Sequence, residues 1–89
     1  MLYKIEIPET LLKKSLKKIP TSDAKKIIEE IDSLEHDPRP SGSKKLKGST
    51  KKPLYRIRIG DYRVVYSIFD NILTILIIEI GHRKDIYSR

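Results

Sequence analysis

The sequence predicts a two-layer α+β protein, with an N-terminal helical hairpin packed on one face of a curled, mainly antiparallel sheet of about four strands. Three observations predict it. Between Glu9 and Leu34 the apolar residues recur at helical spacing. From Leu54 to Ile80 the pattern turns to strand-like alternation. Two pairs suited to tight turns, Gly60-Asp61 and Asp70-Asn71, divide that second half into three strands.

Taken in order, Leu2 to Ile7 alternates Tyr3, Ile5 and Ile7 against Lys4 and Glu6, the period of a half-buried strand, and Pro8 ends it. From Glu9 to Lys18, Leu11, Leu12, Leu16 and the following Ile19 form a stripe among Lys13, Lys14, Lys17 and Lys18, which predicts a short amphipathic helix stopped by Pro20. Thr21 or Ser22 can cap a second helix, in which Ala24, Ile27, Ile28, Ile31 and Leu34 keep helical spacing until Asp37-Pro38. The short link between the two predicts an antiparallel pair. Arg39 to Pro53 holds two prolines, two glycines and five lysines, and reads as a mobile basic connection with a short strand around Leu46. Leu54–Ile59, Tyr62–Phe69 and Ile72–Ile80 then form a three-stranded meander.

Eighty-nine residues suffice for a single domain, 1–89, with one modest core. The absence of Cys excludes a disulfide framework and a thiolate zinc site. His36 and His82 lie on unrelated segments and the acids are scattered, so neither metal nor cofactor is expected. No run approaches the roughly 18 to 20 apolar residues of a membrane span; the longest, Ile72–Ile80, contains Thr74 and Glu79. The chain opens on a strand pattern rather than a signal region, so a soluble, cytoplasmic protein without a membrane partner is expected. The lack of Gln, a single Asn, and abundant Lys, Ile and Glu resemble the balance of heat-adapted proteins.

The net charge is +7, and its position is more informative than its size. Met1–Ser43 carries eight basic and eight acidic residues, and Val64–Arg89 three of each. Lys44–Arg63 carries eight basic residues against Asp61 alone, so about twenty residues hold the whole excess. Such a field concentrates phosphates, and nucleic acid leads the expected partners, with Lys44, Lys45, Lys47, Lys51 and Lys52 as candidate RNA-binding residues.

Strand alternation puts Tyr55, Ile57 and Ile59 on one face and Leu54, Arg56 and Arg58 on the other. With Gly60-Asp61 as a two-residue loop, Arg58 opposes Arg63, and Arg56 joins them on the open face. Like charges directly opposed in a sheet cost stability, so an anionic ligand is the expected compensation. Past the last strand, His82 can titrate near neutrality, Arg83 is a fixed cation, and Tyr87 is a ring able to stack on a base.

The run Tyr55-Arg56-Ile57-Arg58-Ile59-Gly60-Asp61-Tyr62-Arg63-Val64-Val65-Tyr66, followed by Gly81-His82-Arg83-Lys84-Asp85-Ile86-Tyr87, resembles the signature of the RelE toxins. The Asp37-Pro38-Arg39-Pro40 break and Lys44-Lys45-Leu46-Lys47-Gly48 also fit. The resemblance implies a toxin of a type II toxin–antitoxin system that enters the ribosomal A site, beside 16S-type rRNA, and cuts the exposed mRNA codon. It implies metal-free attack of a ribose 2′-hydroxyl on its 3′ phosphate, and neutralisation by an acidic, amphipathic RelB-like antitoxin; the toxin alone is expected to be monomeric. Arg56, Arg58 and Arg63 match the family's basic strand positions, Arg83 the basic residue after the final strand, and Tyr87 the terminal aromatic. Some relatives carry Lys where Arg56 and Arg58 stand, and arginine cannot serve as a base. The general base stays open among His82, Lys47, Lys52, Tyr87 and the A-site geometry itself. A ParE-like inhibitor of DNA gyrase with the same fold, or an inactive RNA-binding module, are the alternatives.

Overall fold

A computed structural model describes residues 2–46 and 53–82. Five strands form one mixed, uncurled sheet: β1 (Lys4–Glu6), β2 (Lys44–Lys45), β3 (Leu54–Ile59), β4 (Tyr62–Phe69) and β5 (Thr74–His82), in the spatial order β1-β5-β4-β3-β2. The fifth strand is the short one expected around Leu46: Lys44 and Lys45 pair with Arg56 and Tyr55, and the Leu46 N–H donates to the Leu54 carbonyl at 2.8 Å. The meander is antiparallel as expected, whereas β1 runs parallel to β5. The strands at both edges are short, three residues in β1 and two in β2.

One face of the sheet carries Ile57, Val64, Tyr66, Ile68, Ile75, Ile77 and Ile80, and these meet Ile27, Ile31 and Leu34 of helix α1 (Thr21–Ser33) and its C-cap. The helix starts as Ala24 N–H donates to the Pro20 carbonyl at 2.9 Å; Pro20 holds the cap position, and neither Thr21 nor Ser22 supplies a side-chain cap. Proline's fixed φ and missing N–H make it a tolerable entrance.

The expected first helix is not α-helical. Leu11–Ser15 forms a wide turn in which the Leu16 N–H donates to the Leu11 carbonyl, five residues back, and a tight 3₁₀ turn follows over Leu16–Lys18. An α-helix here would set Lys13 against Lys17 and Lys14 against Lys18 at the i,i+4 spacing where like charges repel. The wide turn also brings Leu11 and Leu16 to the core and leaves Leu12 exposed, against the expected stripe. A helical hairpin is thus replaced by one true helix preceded by irregular helical turns.

The Gly60-Asp61 turn is the expected two-residue loop, with Ile59 opposite Tyr62 and Arg58 opposite Arg63. Gly60 has φ +61°, the left-handed backbone that the first central position of such a hairpin requires. Asp70-Asn71 is not a two-residue loop: Asp70–Ile72 makes a 3₁₀ turn, Leu73 adopts φ 47°, and pairing resumes at Phe69 with Thr74.

The longer turn positions Asp70 as an anchor. Its carboxylate accepts from the Tyr3 hydroxyl at 2.6 Å and the Arg39 guanidinium at 2.9 Å, and Arg39 lies 5.4 Å from the centre of the Tyr55 ring. Buried Tyr66 donates to the Pro38 carbonyl at 2.8 Å, and burial pushes its phenol up to about 12. The start of the connection, expected to be mobile, is therefore tied at Pro38 and Arg39 and again at β2. The Arg39 and Tyr3 bonds hold the Asp70 carboxyl below its ordinary value of 3.8. A depressed folded-state value adds stability above the unfolded value that is lost as pH falls through the folded one. Wild type should therefore lose more melting temperature than Asp70→Asn as pH drops from about 5 to 3, as followed by circular dichroism. Equal slopes would show that Asp70 titrates as it does in the unfolded chain.

Candidate functional site

The face turned away from α1 is built by register. Cross-strand partners share a face, so two rows run over it: Lys44, Arg56, Val65 and Glu79 across β2 to β5, and Arg58, Arg63 and Gly81 across β3 to β5. Arg58 and Arg63 are directly opposed, as the two-residue turn predicts, and Arg56 lies two residues along. The expectation of a fully open patch is corrected by burial. Arg58 is exposed, but Arg56 is 7% and Arg63 3% exposed. Both stand on interior strands of the sheet, Arg56 on β3 and Arg63 on β4. The Arg63 Nε and Nη2 are enclosed by protein. The low-dielectric surroundings of a guanidinium held this way strengthen its attraction for an anion.

Lys44 joins the arginine face, while Lys45 pairs with Tyr55 and belongs to the opposite one; both are exposed. His82 does not join the arginines. It stands opposite Tyr62, whose ring packs against the core, with the two rings edge to face and 5.5 Å between centres. Lys47, Lys51, Lys52, Arg83 and Tyr87 lie outside the described residues. Among the described residues, no group of three His, Cys, Asp or Glu side chains comes together in a way that could hold a metal ion. No described helix is long and apolar enough to cross a membrane.

Sequence reading missed Glu79, noting it only as a break in an apolar run. Opposite the Val65/Tyr66 step the partner jumps from Glu79 to Ile77, so Ile78 is an extra residue in β5 and is left 42% exposed. Such a bulge reverses the inward–outward alternation beyond it. It sends Ile80 to the core and Glu79 to the arginine face, where strict alternation from Ile75 and Ile77 would do the reverse. Only the apolar pair Ile77-Ile78 hints at it in the sequence.

A mixed sheet with one helical layer and a basic second face defines a class, and the chain belongs to it: the RelE/ParE superfamily of toxins from type II toxin–antitoxin systems. The sequence profile described as "ParE toxin of type II toxin-antitoxin system, parDE" matches residues 8–87. The protein of Methanocaldococcus jannaschii named "Putative toxin RelE1" is 38% identical over 91 residues, covering 99% of this chain and 98% of the relative. In the crystal structure of the archaeal RelE–RelB complex from Pyrococcus horikoshii, one chain superposes with a TM-score of 0.80 at 34% identity, over 93% of this chain and 97% of that one. The RelBE2 toxin–antitoxin complex of Mycobacterium tuberculosis gives 0.78 at 25% identity, over 93% and 100%.

Proposed function

We propose that this toxin is a ribosome-dependent mRNA endoribonuclease that cuts codons in the A site. The observation that carries the reading is the in-register opposition of Arg58 and Arg63 with Arg56 beside them, a concentration of fixed positive charge that a phosphodiester would relieve. In the reaction a ribose 2′-oxygen attacks the adjacent phosphorus, a cyclic phosphate forms, and the 5′-oxygen departs. The phosphorane gains negative charge, and preorganised guanidinium groups lower that barrier. Arg63, enclosed, is suited to the phosphorane oxygens; Arg58, exposed, to capturing the strand. Arg83 and Tyr87 complete the set, as cation and as stacking or proton-donating ring, and the lysines from Lys44 to Lys52 track the rRNA and mRNA backbones.

A RelB-like antitoxin is the proposed partner, since two of the similar toxins were solved with theirs. An acidic amphipathic segment that folds on the toxin would answer the +7 charge and the exposed Leu12, Ile72 and Ile78 together.

Primer extension on mRNA translated by purified ribosomes tests the reading. The wild type should leave breaks at A-site codons, with a cyclic phosphate upstream and a 5′-hydroxyl downstream. The same protein should cut naked RNA far more slowly, because so small a surface must borrow the alignment of nucleophile and leaving group. The matching profile describes ParE toxins, which favours a second reading, inhibition of DNA gyrase without RNA chemistry. Loss of supercoiling activity with intact mRNA would select it.

A further inference from the structure

We propose that Glu79 is the proton acceptor for the attacking 2′-hydroxyl, a residue the β5 bulge delivers to the arginine face. The inference rests on the RNA-cleaving reading above. That reading requires a base, and no arginine can supply one. Of the candidates named from sequence, the one in the described part of the chain, His82, stands with Tyr62 on the other face. Glu79 lies in the row of Arg56, next to the row of Arg58 and Arg63.

The register also sets its position. Glu79 faces Val65, which carries no charge, and is the diagonal same-face neighbour of Arg63, about 7–8 Å away along β4 and β5. Gly81, the residue directly opposite Arg63, adds no side chain, so among the described residues of β5 it is Glu79 that flanks Arg63 on this face. A phosphate drawn to Arg63 and Arg58 would therefore bring its vicinal 2′-hydroxyl to the glutamate. Among the described residues, the other charged groups on this face are Lys44, at the far end of the same row, and Lys4 and Glu6 of β1, which pair with each other at 3.7 Å and lie opposite Thr74 and Leu76. Half-buried Glu79 thus shares its row with Arg56 and lies diagonal to Arg63.

The step balances without a co-reactant other than water. The 2′-O–H proton passes to a Glu79 carboxylate oxygen as the 2′-oxygen bonds to phosphorus. The P–O5′ bond breaks, and the departing 5′-oxygen takes a proton from water. The protonated carboxyl then returns its proton to solvent.

Single-turnover cleavage on saturated, programmed ribosomes tests the assignment. Glu79→Gln, nearly isosteric, should cut about a hundredfold more slowly or worse. It should associate with ribosomes at least as tightly as wild type, because a negative charge has left a basic face. Glu79→Asp should fall between the two. Formate added to Glu79→Ala should restore part of the rate, which a purely structural role would not allow. The proposal is overturned if Glu79→Gln cuts within threefold of wild type, or if folded Glu79→Ala ignores formate. Should Glu79→Ala not fold, the Gln and Asp variants decide: equal losses in both would sink the idea. Failure of wild type to cut any mRNA would instead strike the underlying reading, and this one with it.

Discussion

Arg63→Ala should lower the single-turnover rate of mRNA cleavage by about a hundredfold or more, the usual loss when one preorganised donor to a developing oxyanion is removed. Arg63 is chosen over its neighbours because it is 3% exposed and stands on β4, the strand at the centre of the sheet. Its guanidinium is held before substrate arrives, so little reorganisation is needed as the phosphorane forms. Exposed Arg58 is solvated and should matter more for capture than for turnover. Arg63→Lys should recover little, because a point charge on a flexible stem cannot present two parallel donors. Ribosome association, measured separately by sedimentation, should change less than the rate. A variant that cuts at the normal rate once ribosomes are saturated would make Arg63 a docking residue.

Ile31→Ala should cost about 2–5 kcal/mol. Ile31 is fully buried, and among the described residues α1 is the single α-helix covering the inner face of the sheet. The irregular turns before it cannot close over the space, because Leu11 and Leu16 are already committed to the same core. For a chain of this length the loss should appear as a fall of roughly 10–30 °C in melting temperature. Leu12→Ala, on an exposed neighbour, should move it by a few degrees at most. Comparable falls in the two variants would mean that the core extends over the N-terminal turns.

The parts of the fold that local chemistry dictates were legible. The Gly60-Asp61 turn, the opposition of Arg58 and Arg63, the apolar faces of β3 and β4, and the body of α1 all follow from period and turn type. What failed did so where a distant partner decided. Lysines at i,i+4 and the demand to seat both Leu11 and Leu16 turned an expected α-helix into wide and tight turns. Asp70, taken up by Tyr3 and Arg39, stretched a two-residue turn to four. The site was half legible for the same reason. Arginines on β3 and β4 could be placed by counting from the turn, whereas Glu79 depends on a bulge, and one extra residue changes the face of everything after it. Burial of Arg56 and Arg63 was not legible, since strand alternation places Arg56 and Arg58 on one face of β3 alike, yet only Arg58 is exposed.

The parallel pairing of β1 with β5 also governs when the molecule can mature during its own synthesis. Lys4–Glu6 wait for Thr74–Leu76, and Tyr3 waits for Asp70, so contacts separated by about seventy residues must form last. Pairings of this range carry a large loop-closure cost and fold slowly. At roughly 5–20 residues per second, several seconds pass between emergence of the first strand and of its partner. During that interval α1 and the turns before it exist without the completed arginine face, to which β5 contributes Glu79 and Gly81.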